Sequence, residues 1–145
     1  MAEFIHGNQS IHYELAGVRE FRLRTPVLLL HGNGEDMHIF DNMIAPLLGA
    51  KGFVLMDSRM QGESFSLDGG GEISYSAMAD DAAALMDELG INEYDIVGYS
   101  DGGIIALLMA MKSFKVRRFF TIGANTDPSG LTAKAVREIK TALRR

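Results

Sequence analysis

Three stretches of this sequence carry residue types that could act together on a carbonyl group. The first is Gly98-Tyr99-Ser100-Asp101-Gly102, which directly follows the strand-like stretch Tyr94-Asp95-Ile96-Val97 and, after Gly103, precedes an apolar run from Ile104 to Met111. A serine on a tight turn from a buried strand into a buried helix is a nucleophile elbow. The turn lifts the hydroxyl above the sheet, and the free N–H groups at the helix start face a developing negative charge. Bulky neighbours would clash on such a turn, so Gly98 and Gly102 fit either side of Ser100. The Gly-x-Ser-x-Gly string alone is weak, because a serine cap between incidental glycines gives the same letters; its place between strand and helix gives it weight.

The second stretch, His31-Gly32-Asn33-Gly34, ends the apolar run Val27-Leu28-Leu29-Leu30. A loop of this kind supplies a second backbone donor to the oxyanion, with Gly32 keeping the chain close to a substrate. Asn33 N–H is the first choice and Gly34 N–H the second, with Asp101 N–H as the other donor; a plain glycine turn is the alternative. His31 is the histidine nearest the site, yet at a strand end before a glycine turn it reads as a residue that fixes the loop through ring hydrogen bonds. The third stretch, Asp57 to Ser64, closes the run Phe53-Val54-Leu55-Met56. Asp57 there reads as a loop organiser acting with Arg59 and Ser64, not as the acid of a triad. His6, His12 and His38 read as surface or packing residues, and no metal site is expected from their spacing.

These stretches need elements to hold them. Alternation in Ile11-His12-Tyr13-Glu14-Leu15 predicts a half-buried strand, paired through a turn at Gly7-Asn8 with residues near Phe4-Ile5. The continuous apolar run at Val27 predicts a strand covered on both faces, as in a parallel sheet, and the stretches at Phe53, Tyr94 and Val116 to Ile122 predict its further parallel strands. Helices are predicted from about Asp36, with Ile39, Phe40, Met43 and Leu47 inward and Pro46 interrupting. A second runs from Ser74 to Leu89 with Met78, Ala82, Leu85 and Leu89 inward, Gly90 as its stop, and one of Asp80 and Asp81 solvated, the other buried. A third, from Gly102 to Met111, is apolar all round and should be deeply buried. A C-terminal amphipathic helix carries Leu131, Ala135, Ile139 and Leu143 on one face. Strands alternating with helices make an α/β fold, a mostly parallel sheet of about six strands with flanking helices.

The formal net charge of −5 argues against nucleic acid or an anionic membrane as partner. With no cysteine there is neither a disulfide framework nor a thiolate metal site, which fits a reducing, cytoplasmic setting. The first residues lack a basic region followed by an apolar one, and the longest apolar run is too short to span a bilayer. A soluble protein is expected.

Taken together, the three stretches resemble the N-terminal half of an α/β-hydrolase-fold serine hydrolase. The matching pieces are Leu30-His31-Gly32-Asn33-Gly34, Asp57-Ser58-Arg59-Met60-Gln61-Gly62-Glu63-Ser64 and Val97-Gly98-Tyr99-Ser100-Asp101-Gly102-Gly103, in that family's order and spacing. One departure is Met60, where the family often has glycine. The resemblance implies the strand order 1-2-4-3-5-6, a Ser100 acyl-enzyme acting on an ester or related acyl bond of a small molecule, and no cofactor. It divides the chain into residues 1–125, the N-terminal portion of the core, and residues 126–145, a helix like the start of a lid. Family members usually continue into two more strands bearing an acid and then a histidine. The residues after Ser100 contain no histidine, so the chain alone is expected to be inactive. The sheet should be open beside Val116 to Ile122, which predicts a homo-oligomer with the C-terminal helix exchanged between copies. The alternative function is a non-catalytic oligomeric module that keeps the fold. A dehalogenase or epoxide hydrolase with an aspartate nucleophile is disfavoured because the elbow residue is serine.

Overall fold

In a computed structural model, the structure describes residues 2–21 and 23–142, with side chains over the same span apart from 128, 135, 139, 140 and 142. Strands β1 (Ala2–His6) and β2 (Gln9–Gly17) form an antiparallel hairpin about Gly7 and Asn8, as the alternation predicted. The parallel core follows as β3 (Val27–Leu30), β4 (Gly52–Met56), β6 (Tyr94–Tyr99) and β7 (Val116–Ile122). A two-residue strand, β5 (Phe65–Ser66), pairs with β2 and is too short to leave a pattern in the sequence. The sheet runs β1-β2-β4-β3-β6-β7. With β5 set aside, this is the order the resemblance implied.

The continuous apolar runs are explained by two cores, one on each face of the sheet. Leu28, Leu30, Val54, Met56 and Ile96 point to one side, where α2 (Tyr75–Glu88) and α3 (Asp101–Lys112) cover them. Leu29, Phe53 and Leu55 point to the other, against Met37, Phe40 and Ile44. Each such side chain contributes roughly 1.5–3 kcal/mol by leaving water. Helix α2 is capped by Ser74, whose side chain accepts from Ala77 N–H at 3.1 Å, and it stops at Gly90 with φ of 69°. Its buried residues include Met78, Ala82 and Leu85, with Asp81 fully buried and Asp80 exposed.

Two helix expectations need correction. The segment after Asp36 is a 3-10 turn (Met37–Phe40), the single-turn α1 (Asp41–Ile44) and a second 3-10 turn (Ala45–Leu47) with Pro46 as its second residue. Its buried residues are Met37, Phe40 and Ile44, whereas Ile39, Met43 and Leu47 are exposed. The changing pitch rotates the inward face away from the one a regular helix would give. Helix α3 is buried only where it meets the sheet and α2, at Gly102, Gly103, Ile105, Ala106 and Met109. Met111 at its far end is 82% exposed.

Strand β7 ends the sheet, and no described strand pairs with its outer side; Phe119 and Phe120 on its two faces are exposed. A 3-10 turn (Pro128–Gly130) and α4 (Ala133–Ala142) follow. Leu143 of the predicted apolar face lies outside the described residues, as do the side chains of Ala135 and Ile139. No helix among the described residues is long and apolar enough to cross a membrane.

Candidate active site

Ser100 joins β6 to α3 with φ of 52° and ψ of −117°, a left-handed conformation that costs a non-glycine residue roughly 1–3 kcal/mol. The surroundings hold it there. Ser100 N–H donates to Ile122 O on β7 at 2.7 Å, and Gly103 N–H donates to Ser100 O at 2.9 Å. A Cβ on Gly98 would lie 2.3 Å from Gly102 O, and one on Gly102 would lie 2.0 Å from Leu30 O. The glycines are therefore required by backbone meeting backbone where α3 springs from the sheet. Gly103 is constrained by side chains instead, since its Cβ would meet that of Ala124 at 2.6 Å and that of Thr121 at 3.2 Å. Asp101 N–H and Gly102 N–H open α3 and so have no partner within the helix.

The loop after β3 passes beside the serine: a Cβ on Gly32 would be 3.2 Å from Ser100 Cβ. Two of its amides are already engaged. Gly32 N–H donates to Glu35 Oε2 at 3.1 Å, and Gly34 N–H donates to Gln61 Oε1 at 2.9 Å. Gly34 N–H is thus turned to the Gln61 side chain. Asn33 N–H, between them, has no protein partner among the described residues.

The buried His31 ring accepts Ser58 N–H on Nε2 at 3.0 Å, so its proton sits on Nδ1 and is donated to Gly32 O at 2.7 Å. It spans the two loops and is 1% exposed. Asp57 gathers the neighbouring chain: Oδ1 accepts Met37 N–H and Oδ2 accepts Glu63 N–H, both at 2.8 Å, while its carbonyl accepts the Ser64 hydroxyl at 2.8 Å. Arg59 is not Asp57's partner. Its guanidinium turns to α2 and donates twice to Asp81, at 2.7 and 2.8 Å, and once to Glu72 O at 2.8 Å. The hydrogen bonds to the buried Asp81 carboxylate raise the Arg59 pKa above its ordinary value, against the opposing effect of burial. Met60 adopts φ of 58°, a left-handed conformation that explains why glycine is frequent there in the family it resembles. His6 contacts Asp81, His12 lies near Glu63, and the exposed His38 ring, hydrogen-bonded to Asp41, is shifted up by that contact.

Ser100 opens into a cleft of about 610 Å³ whose walls include Asn33, Tyr75, Tyr99, Asp101 and Leu131. Tyr75 O–H donates to Asp101 Oδ1 at 3.0 Å, and burial followed by the nearby Asp101 charge pushes the Tyr75 hydroxyl pKa up. Glu35, Gln61 and Tyr75 were not legible as site residues. For Glu35 the signal was its position three residues after Gly32; for Gln61 and Tyr75, whose partners are 27 and 26 residues away, the sequence held none.

This geometry has counterparts. The family model for the alpha/beta hydrolase fold matches residues 25–142. The chain belongs to the alpha/beta hydrolase fold family. Among solved structures, this alpha/beta hydrolase-fold chain resembles a hydrolase from Pseudomonas aeruginosa PA01 at 20% identity and a TM-score of 0.81, over 98% of this chain and 51% of that one. It resembles Est816, described as an N-acyl homoserine lactone degrading enzyme, at 21% identity and a TM-score of 0.79, over 98% of this chain and 53% of that one. A candidate epoxide hydrolase from Pseudomonas aeruginosa matches at 24% identity and a TM-score of 0.74, over 83% of this chain and 39% of that one. At these identities the structures share the fold with this chain. The chain spans 39% to 53% of their lengths.

Proposed function

We propose that the chain carries the nucleophile portion of a serine hydrolase that cleaves ester or related acyl bonds through an acyl-enzyme at Ser100. The observation that supports this most is the strained Ser100 lining a cleft together with Asn33 and Asp101, whose backbone N–H groups have no protein partner among the described residues. In this reading Ser100 Oγ attacks the acyl carbon, and the carbonyl oxygen takes up the charge and accepts from both N–H groups. Collapse then expels the alcohol with the proton that a base removed from Ser100. Losing either donor typically costs roughly 3–4 kcal/mol of transition-state stabilisation. Glu35, Asp101, Asp127 and Glu138 line the cleft and no cationic side chain is among its described lining residues, so the local field disfavours anionic acyl groups.

The base is the missing part of this reading. His31 has both ring nitrogens committed to backbone groups, and the sequence after Ser100 holds no histidine. The chain alone is expected to turn over p-nitrophenyl esters negligibly, with at most roughly a thousandfold over water from the oxyanion donors and binding. Robust turnover abolished by Ser100→Ala would show that a base is present within these residues. Slow stoichiometric labelling of Ser100 by a fluorophosphonate, absent in Ser100→Ala, is the positive test; a parent chain that labels elsewhere or not at all refutes the nucleophile assignment.

The second reading is a non-catalytic, cytoplasmic oligomer that keeps the fold and associates through the outer side of β7, which no described strand pairs and where Phe119 and Phe120 are exposed. Either reading predicts a dimer or larger assembly, with exchange of the C-terminal helix as one route. Light scattering that gives a compact, stable monomer would count against association.

A further inference from the structure

We propose that Tyr75 is a positioning residue for the nucleophile elbow, holding the Asp101 carboxylate away from the amide groups that receive the oxyanion. The inference rests on the serine-hydrolase reading above. Asp101 is the first residue of α3, and an acidic side chain in a helix's first turn is drawn to the unpaired N–H groups there. At an elbow that attraction is harmful. A carboxylate accepting from Asp101 or Gly102 N–H would compete with the oxyanion for the donor and repel it as well.

The structure shows the carboxylate engaged elsewhere, by the Tyr75 hydroxyl at 3.0 Å, and Ser100 and Asp101 make no side-chain bond to the helix start. Tyr75 can hold this place because its own segment is fixed. Ser74 caps α2 through Ala77 N–H, and Glu72 O, three residues before Tyr75, is held by Arg59, which is anchored on the fully buried Asp81 of the same helix. Burial and the adjacent Asp101 charge both oppose ionisation of the hydroxyl, so it remains a donor. Glu35, the other carboxylate beside the serine, is likewise engaged, by Gly32 N–H.

The test compares Ser100 phosphonylation by a p-nitrophenyl phosphonate in the full chain, Tyr75→Phe and the double variant Tyr75→Phe/Asp101→Ala. Tyr75→Phe should slow labelling about fivefold to tenfold, the loss equivalent to one ordinary solvent-exposed hydrogen bond, with the fold retained by far-UV circular dichroism. The double variant should regain most of that rate, because the competing carboxylate is gone while the Asp101 backbone N–H remains. A merely structural role for Tyr75 predicts no such rescue. Parental labelling in Tyr75→Phe, or a loss the double variant does not relieve, overturns the inference. If the parent itself does not label, the hydrolase reading fails and the inference is decided by amide NMR: in Tyr75→Phe the Gly102 or Asp101 amide proton should move downfield and return in the double variant. Unmoved amides overturn it.

Discussion

Gly102→Ala is the sharpest test of how the elbow is built. The added methyl would lie 2.0 Å from Leu30 O, 2.5 Å from Leu30 C and 2.8 Å from His31 O. All are backbone atoms of β3 and its loop, and none can swing aside as a flexible side chain would. Ordinary carbon–oxygen contact requires α3 to retreat from the end of β3 by more than about 1 Å, in an interior packed without slack. Overpacking of this kind costs about 1–3 kcal/mol, and the upper end applies where backbone is struck. With an m-value of about 2 kcal/mol/M, a 3 kcal/mol loss lowers the urea midpoint by about 1.5 M. Gly34→Ala is the control: its methyl meets nothing within 4 Å, and only its φ of 74° resists, at about 1 kcal/mol or 0.5 M. Far-UV circular dichroism follows both transitions in this tryptophan-free chain. Equal midpoints for the two variants would refute the claim that contact at Gly102, and not glycine's flexibility, fixes the elbow.

Ser100→Gly and Met60→Gly should each stabilise the fold by about 1 kcal/mol by relieving a left-handed residue, raising the thermal midpoint while Ser100→Gly abolishes phosphonate labelling. Asp81→Asn leaves the Arg59 guanidinium buried against a neutral partner and should cost about 3–5 kcal/mol in urea unfolding; Arg59→Met/Asp81→Leu should recover most of it. Burial, with a smaller push from Asp87, raises the Tyr94 hydroxyl from 10.0 to about 12. Its contribution is therefore whole below pH 10 and falls by about 2–3 kcal/mol as the pH rises to 12, a slope that Tyr94→Phe should remove from urea midpoints measured across that range.

The sheet was legible because buried parallel strands leave unbroken apolar runs such as Val27–Leu30 and Phe53–Met56, and their order came with the family resemblance. The elbow was legible because backbone crowding demands glycine at fixed places around Ser100. Orientation was not. The inward face after Asp36 depends on a change of helical pitch that the sequence marks only at Pro46, and the burial of α3 depends on how many elements cover it, which composition does not state. The partner of Arg59 was missed for a similar reason: Asp57 is near in sequence, but Asp81, 22 residues on, is brought beside it by the packing of α2. The engagement of Gly34 N–H by Gln61 is likewise a tertiary contact that no spacing in the sequence marks.

The bond from Ser100 N–H to Ile122 O carries a mechanical consequence. The strained turn is fastened on one side by the outermost strand of the sheet, which is held laterally by β6 alone among the described strands. Fraying at that margin would reach the serine through this hydrogen bond and through the packing of Gly103 against Thr121 and Ala124. A neighbour laid along β7 would stiffen the seat of Ser100 without touching the cleft, and peeling β7 away would let the turn relax. The conformation of Ser100 is thus tied to the state of an edge on the far side of its own strand.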